Sequence, residues 1–152
     1  ALLVSIVTAL LLNRQTFGQI DYGILLMFVE FFIIVGALGR IEWVSDMIKL
    51  GMTTPAMTFI TGAISSQFIS NVPAAVLLSN FTSHVSPLYL GATTGGLGTL
   101  IASLANLLAW RQFAQHTSDQ SWHFPLRAML INGVLLIIYL LIGLGLIMVR
   151  LN

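Results

Sequence analysis

Five apolar stretches, separated by short polar or glycine-rich segments, make up almost the whole chain. The first, residues 1–12, would rise only about 18 Å as a helix against a hydrocarbon core of roughly 30 Å. It is expected to be the end of a truncated span. It lacks the basic flank and small-residue cleavage site of a secretory signal. The second, residues 22–38, has the length to cross with little tilt and carries Glu30 near its middle, a carboxyl expected to be buried. Between Gly39 and Gly51 the pattern changes. At about 100° per residue, Glu42, Ser45, Asp46 and Lys49 share one arc, while Ile41, Trp43, Val44, Met47, Ile48 and Leu50 fill the other side. That predicts an amphipathic helix lying in the membrane interface.

As one helix, residues 52–81 would rise about 45 Å and overshoot the bilayer, so the stretch must be broken. The break is expected at Ser70-Asn71-Val72-Pro73. Pro73 has no N–H to donate and biases Val72 away from helix, and Ser70 and Asn71 favour turns and caps. Residues 52–70 alone could span, so length leaves both a crossing and a re-entrant hairpin open. Residues 88–110 also have the length of a crossing, yet residues 91–99 hold four glycines and three threonines, poor material for a continuous helix. An unwound middle is expected there, with good helix from Leu100. A polar connection, residues 111–124, leads through Pro125 to a last crossing at about residues 129–149, with Arg127 and Arg150 able to snorkel at its edges.

Composition agrees with this pattern. The chain has 152 residues, 57% hydrophobic and 7% charged, with a mean hydropathy of +0.96, whereas soluble domains are about 25% charged. The class expected is therefore an all-α membrane protein whose transmembrane helices include a re-entrant hairpin and an unwound, discontinuous helix. Its parts are scaffold helices at 1–38, an interfacial arm at 39–51, the hairpin at 52–86, the broken helix and polar loop at 87–124, and a C-terminal transmembrane helix at 125–152. A formal net charge of +1 without a basic cluster argues against nucleic acid. The absence of cysteine removes disulfides, thiolate metal sites and cysteine nucleophiles. Orientation stays undecided, because Arg14, Arg111 and Arg127 balance Arg40, Lys49 and Arg150 if residues 52–81 are re-entrant.

Candidate chemistry concentrates at the two breaks. Broken backbone inside a bilayer is tolerated only where protein or a water-filled cavity satisfies it. Half-helix N-termini attract anions, and C-terminal carbonyls coordinate cations such as sodium. Thr99, Ser103 and Asn106 recur at i, i+4 and i+7, a polar stripe if all three lie on one helix. Small and hydroxylated residues also serve tight helix packing in membranes, and the coincidence of both breaks with the stripe favours a site. Glu30 is a candidate for proton or sodium coupling, its alternative being a carboxyl that only hydrogen-bonds within the bundle. His84, His116 and His123 lack ligand spacing, and no metal site is expected. Asn80-Phe81-Thr82 fits a glycosylation sequon too common to weigh. No HExxH, Walker loop or aspartate pair supports an enzyme.

The order "IDYGILLMFVEFFIIVGAL", an amphipathic helix, "SSQFISNVPAAVLLSNF" and "LGATTGGLGTLIASLANLLAW" resembles the C-terminal half of the ion transporter superfamily. That superfamily includes citrate and other divalent-anion/sodium symporters, arsenite efflux pumps and certain sodium/proton antiporters. The resemblance covers nearly the whole chain. It implies that Ser70 and Asn71 line a site at a hairpin tip, that Thr93, Thr94, Gly96 and Thr99 line it at an unwound segment, and that residues 39–51 link a scaffold to a moving transport domain. Ser103 and Asn106 join the candidate site through the stripe. In the dicarboxylate branch a threonine usually follows the hairpin asparagine, where this chain has Val72, and many relatives have asparagine in place of Leu97.

The expected function is transport of a small anion or carboxylate, coupled to sodium or protons, by a protein of which this chain is the C-terminal half. Sodium/proton antiport, arsenite-type export and a non-transporting membrane subunit are the alternatives. Apart from sodium as a coupling ion, no cofactor is expected. The expected partners are the lipid bilayer, the substrate anion, the N-terminal half of the same protein and a second copy in a homodimer. The expected location is a bacterial or archaeal inner membrane.

Overall fold

A computed structural model describes residues 22–116 and 123–151. The expected truncated span at residues 1–12 and part of the polar connection, residues 117–122, lie outside the described residues. Those described form α-helices joined by turns, without a strand among them. The helices are α1 (Tyr22–Leu38), α2 (Glu42–Leu50), α3 (Pro55–Ile69), α4 (Asn71–Ser79), α5 (Val85–Gly95), α6 (Leu104–His116) and α7 (His123–Leu151). The chain divides into two compact units, residues 1–33 and 34–152. In the first, α1 stacks Phe28 on Phe32, one turn apart, at a centroid distance of 6.4 Å. Glu30 is exposed on this helix.

In the second unit, α3, α4 and α5 pack on one another, and α7 packs against α3 and α5. Pro55 stands at the first helical position of α3, and Thr54 caps it by accepting the Met57 N–H at 3.2 Å, which satisfies one of the N–H groups a helix start leaves open. Met52, Leu78 and Leu88 form a buried cluster flanked by Ile48 and Phe81. Residues just before α3, late in α4 and early in α5 therefore meet at one end. The chain runs away from this base along α3, breaks at Ser70 and returns along α4.

Glycines set the spacing of the bundle. A Cβ on Gly91 would land on the carbonyl of Phe59, and one on Gly95 would stand 2.5 Å from the carbonyl of Ala63. Gly62 faces the same seam, 3.1 Å from the Ala92 nitrogen by the same measure. Backbones thus touch directly, as small residues four apart allow in membrane helices. On α7, Gly143 lies against the ring of the fully buried Phe59.

Among the described residues, one helix is long and apolar enough to cross a membrane, at Pro125–Val149, and only 6% of its most apolar window is buried. It agrees with the last expected crossing and starts a turn earlier. On α2, Ile48 turns toward the core cluster while Trp43, Met47 and Leu50 are exposed. The apolar side of α2 is thus split between protein and surroundings. The exposed Lys49–Asp46 pair at 3.3 Å adds little to stability.

Two expected boundaries shift. Pro73 lies within the first turn of α4, and Val72 is helical too; a first-turn proline gives up an N–H with no intrahelical partner in any case. The break is therefore confined to Ser70. The second break falls at residues 96–103, and helix resumes at Leu104 instead of Leu100. Gly91 and Gly95 remain helical because their lack of side chains serves the contact with α3.

Candidate functional site

Ser70 has φ 69° and ψ 152°, a conformation essentially reserved for glycine. It ends α3 and begins α4 in a single residue, and its side chain makes no capping bond. The helix start is tied to the second break through backbone: the Asn71 N–H donates to the Ala102 carbonyl at 2.9 Å. The Asn71 side chain lies against the second break, where a Cβ on Gly96 would stand 2.9 Å from its Nδ2. Neither the Asn71 side-chain amide nor the Val72 N–H makes a hydrogen bond among the described residues.

Residues 96–103 are held by side-chain amides. Gln67, on the last turn of α3, donates from Nε2 to the carbonyls of Gly95 at 2.5 Å and Leu97 at 2.9 Å. Its Oε1 accepts the Thr99 N–H at 3.1 Å, and its main-chain carbonyl accepts the Thr99 hydroxyl at 3.1 Å. Asn106, in the first turn of α6, donates from Nδ2 to the carbonyls of Gly96 and Thr99, both at 3.1 Å. Gly98 takes φ +101° with Gln67 Oε1 2.6 Å from where its Cβ would be, so any other residue there meets both strain and a clash.

Ser70, Asn71, Gly96, Thr99 and Asn106 thus gather around one junction. Ser103 precedes α6 and accepts the Ala105 N–H at 3.3 Å, as a cap does. Thr99, Ser103 and Asn106 do not form a stripe on one helix, since the first two precede α6. Local hydroxyl-to-backbone bonds, such as Ala102 N–H to Thr99 Oγ1 at 3.2 Å, compete with helix there. Thr94 is half-buried in the last turn of α5, where its carbonyl accepts the Leu97 N–H. Thr93 is exposed, its hydroxyl donating to the Tyr89 carbonyl one turn back at 2.7 Å. Glu30 belongs to α1 in the other unit. Gln67 is not among the residues that the sequence pattern singles out, although a lone amide on an apolar helix three residues before a break is a usable signal.

No protein-family model matches the chain, and no solved structure matches it. Curated relatives do. An uncharacterized transporter of Methanocaldococcus jannaschii is 36% identical over 138 residues, covering 90% of this chain and 36% of the relative. The inner membrane protein YbiR of Escherichia coli is 33% identical over 102 residues, covering 66% of this chain and 27% of the relative. The chain spans about a third of the length of these relatives.

The conformation of Ser70 supports a direct prediction. A non-glycine residue held there costs of order 1–3 kcal/mol, partly offset by the larger unfolded-state entropy of glycine. Ser70→Gly is expected to stabilise the protein by about 1 kcal/mol, or roughly 2–4 °C in melting temperature. An unchanged or lower melting temperature would show that the backbone at Ser70 is relaxed.

Proposed function

We propose that this chain is a membrane-embedded part of a secondary transporter that moves a small anion or carboxylate by alternating access, driven by sodium or protons. The names of its relatives support membrane transport in general. The observation that carries the finer reading is the junction of two helix breaks, where the first turn of α4 offers the Val72 N–H, the Ser70 hydroxyl and the Asn71 amide as uncommitted donors. Residues 52–110 contain no Asp, Glu, Lys or Arg. An anion bound at the junction would be held by the helix dipole, hydroxyls and amides, with a co-bound cation as a further counter-charge. In this reading α3 and α4 form a re-entrant hairpin, residues 96–103 interrupt a membrane helix, and α2 lies in the interface as the arm between scaffold and transport domains. Glu30 on α1 is the candidate for cation coupling.

A second reading, a non-transporting membrane subunit, draws on the glycines at Gly91 and Gly95, which helix packing accounts for in full. The two separate by flux. The complete transporter in proteoliposomes should accumulate a carboxylate or inorganic oxyanion when a sodium or proton gradient is imposed. The same ligand at 100 times its Kd should add about 2.7 kcal/mol of stability. Folded protein that neither binds nor moves any member of a broad anion panel would favour the subunit.

The hairpin is tested by topology. Cysteines at the exposed positions Thr53 and Ser83 are expected to react with a membrane-impermeant reagent from the same side. Labelling from opposite sides would make residues 52–81 a crossing.

A further inference from the structure

Non-helical backbone turns several carbonyl oxygens toward one another, and such a cluster needs positive charge or N–H donors among its members. At residues 95–99 four carbonyls face the interior of the junction, those of Gly95, Gly96, Leu97 and Thr99. A primary amide carries two N–H donors. Gln67 spends its two on Gly95 and Leu97, and Asn106 spends its two on Gly96 and Thr99. Four donors meet four acceptors. Gln67 is fixed in this orientation because its Oε1 takes the Thr99 N–H, which a flipped amide would meet with N–H against N–H.

We propose that Gln67 is a positioning residue whose amide, with that of Asn106, takes the place of an alkali cation in this carbonyl cluster, so that the loop at 96–103 is ordered without bound sodium. An N–H aimed at a carbonyl presents its positive end where a cation would coordinate, and a cation entering the cluster would have to displace both amides. The consequence for the Asn71 side is geometric. Thr99 is clamped to α3 by its N–H and its hydroxyl, Ala102 is bonded back to Thr99, and Ala102 in turn accepts the Asn71 N–H. Gln67 therefore sets where the start of α4 stands relative to the second break. The inference goes beyond the transport reading and does not need it, since loop order is measured without any substrate.

The test is amide hydrogen exchange of the complete protein in detergent, in choline chloride and in sodium chloride. In the unaltered protein without substrate anion, so that no cation enters with it, the Thr99, Ala102 and Asn71 amides are expected to be protected equally in both salts. Gln67→Ala should accelerate their exchange at least about tenfold in either salt. Gln67→Glu replaces the donating amide by a carboxylate that repels the same carbonyls unless a cation bridges them. Its protection should be low in choline and restored by sodium, a readout that a residue serving only to fill space would not produce. A tenfold rise in protection of the unaltered protein on adding sodium would overturn the proposal. So would a Gln67→Ala protein as protected as the parent, or a folded Gln67→Glu protein indifferent to sodium. The parent and Gln67→Ala measurements decide the matter should Gln67→Glu not fold.

Discussion

Gly91→Ala is expected to lower the melting temperature by several degrees and to disrupt the junction of the two breaks with it. The added methyl would occupy the position of the Phe59 carbonyl, and a main-chain atom within a helix cannot rotate aside as a flexible side chain can. The helices must separate, and overpacking of this kind costs typically 1–3 kcal/mol. The gain in helix propensity from glycine to alanine, about 1 kcal/mol, works in the opposite direction. A clash with a main-chain atom belongs at the upper end of that range, which leaves a net loss of about 2 kcal/mol, or roughly 4–8 °C. The control is built into the fold: a Cβ added to Gly133 or Gly145 on α7 would meet nothing within 4 Å, so alanine at either should be neutral or slightly stabilising. Separating α5 from α3 also moves Gly95 and Leu97 away from Gln67, so binding at the junction should weaken together with stability. Equal melting temperatures for Gly91→Ala and Gly145→Ala would mean that α3 and α5 do not approach at backbone contact.

Position along the chain and physical role were not equally legible in the sequence. The break near Ser70 could be read because three signals coincide there: a segment too long for the bilayer, a proline, and two residues that favour turns. The register of helix and break around it could not, since a proline in a first turn and a proline just before a helix look alike until the neighbouring helix start is known. The glycine-rich segment shows the opposite failure. Glycine disfavours helix and also permits close helix contact, and composition alone does not say which use a given glycine serves. The contact with α3 assigns Gly91 and Gly95 to packing, and the positive φ of Gly98 assigns that residue to the turn. Gln67 carries only the faint local mark of a lone amide near a break, because the carbonyls it serves lie about thirty positions later in the chain.

The structure also sharpens what Asn71 should do. If Asn71 were only a helix cap, its side chain would accept an N–H of the following turn, and alanine in its place would cost about 0.5–2 kcal/mol. Ser70 holds the capping position instead, and the Asn71 amide bonds to nothing among the described residues while it lies half-buried against Gly96. The bond that joins the two breaks runs from the Asn71 main chain to Ala102, which alanine preserves. Asn71→Ala is therefore expected to leave the melting temperature of the ligand-free protein within about 1–2 °C, since it breaks no hydrogen bond and a change of that kind usually stays within about 0.5 kcal/mol. Substrate affinity should fall by tenfold or more, because a hydrogen bond to a charged group contributes about 1.5–3 kcal/mol. Asn71→Asp separates anion from cation recognition at the same position. A carboxylate repels an anionic substrate, so affinity should fall further than with alanine, whereas a site that used the Asn71 oxygen for a cation would bind that cation more tightly in the Asp variant. Melting curves and substrate titrations of both variants decide between these outcomes. A lower melting temperature with unchanged affinity for anion and cation alike would make Asn71 structural and would remove the junction as the place where substrate is held.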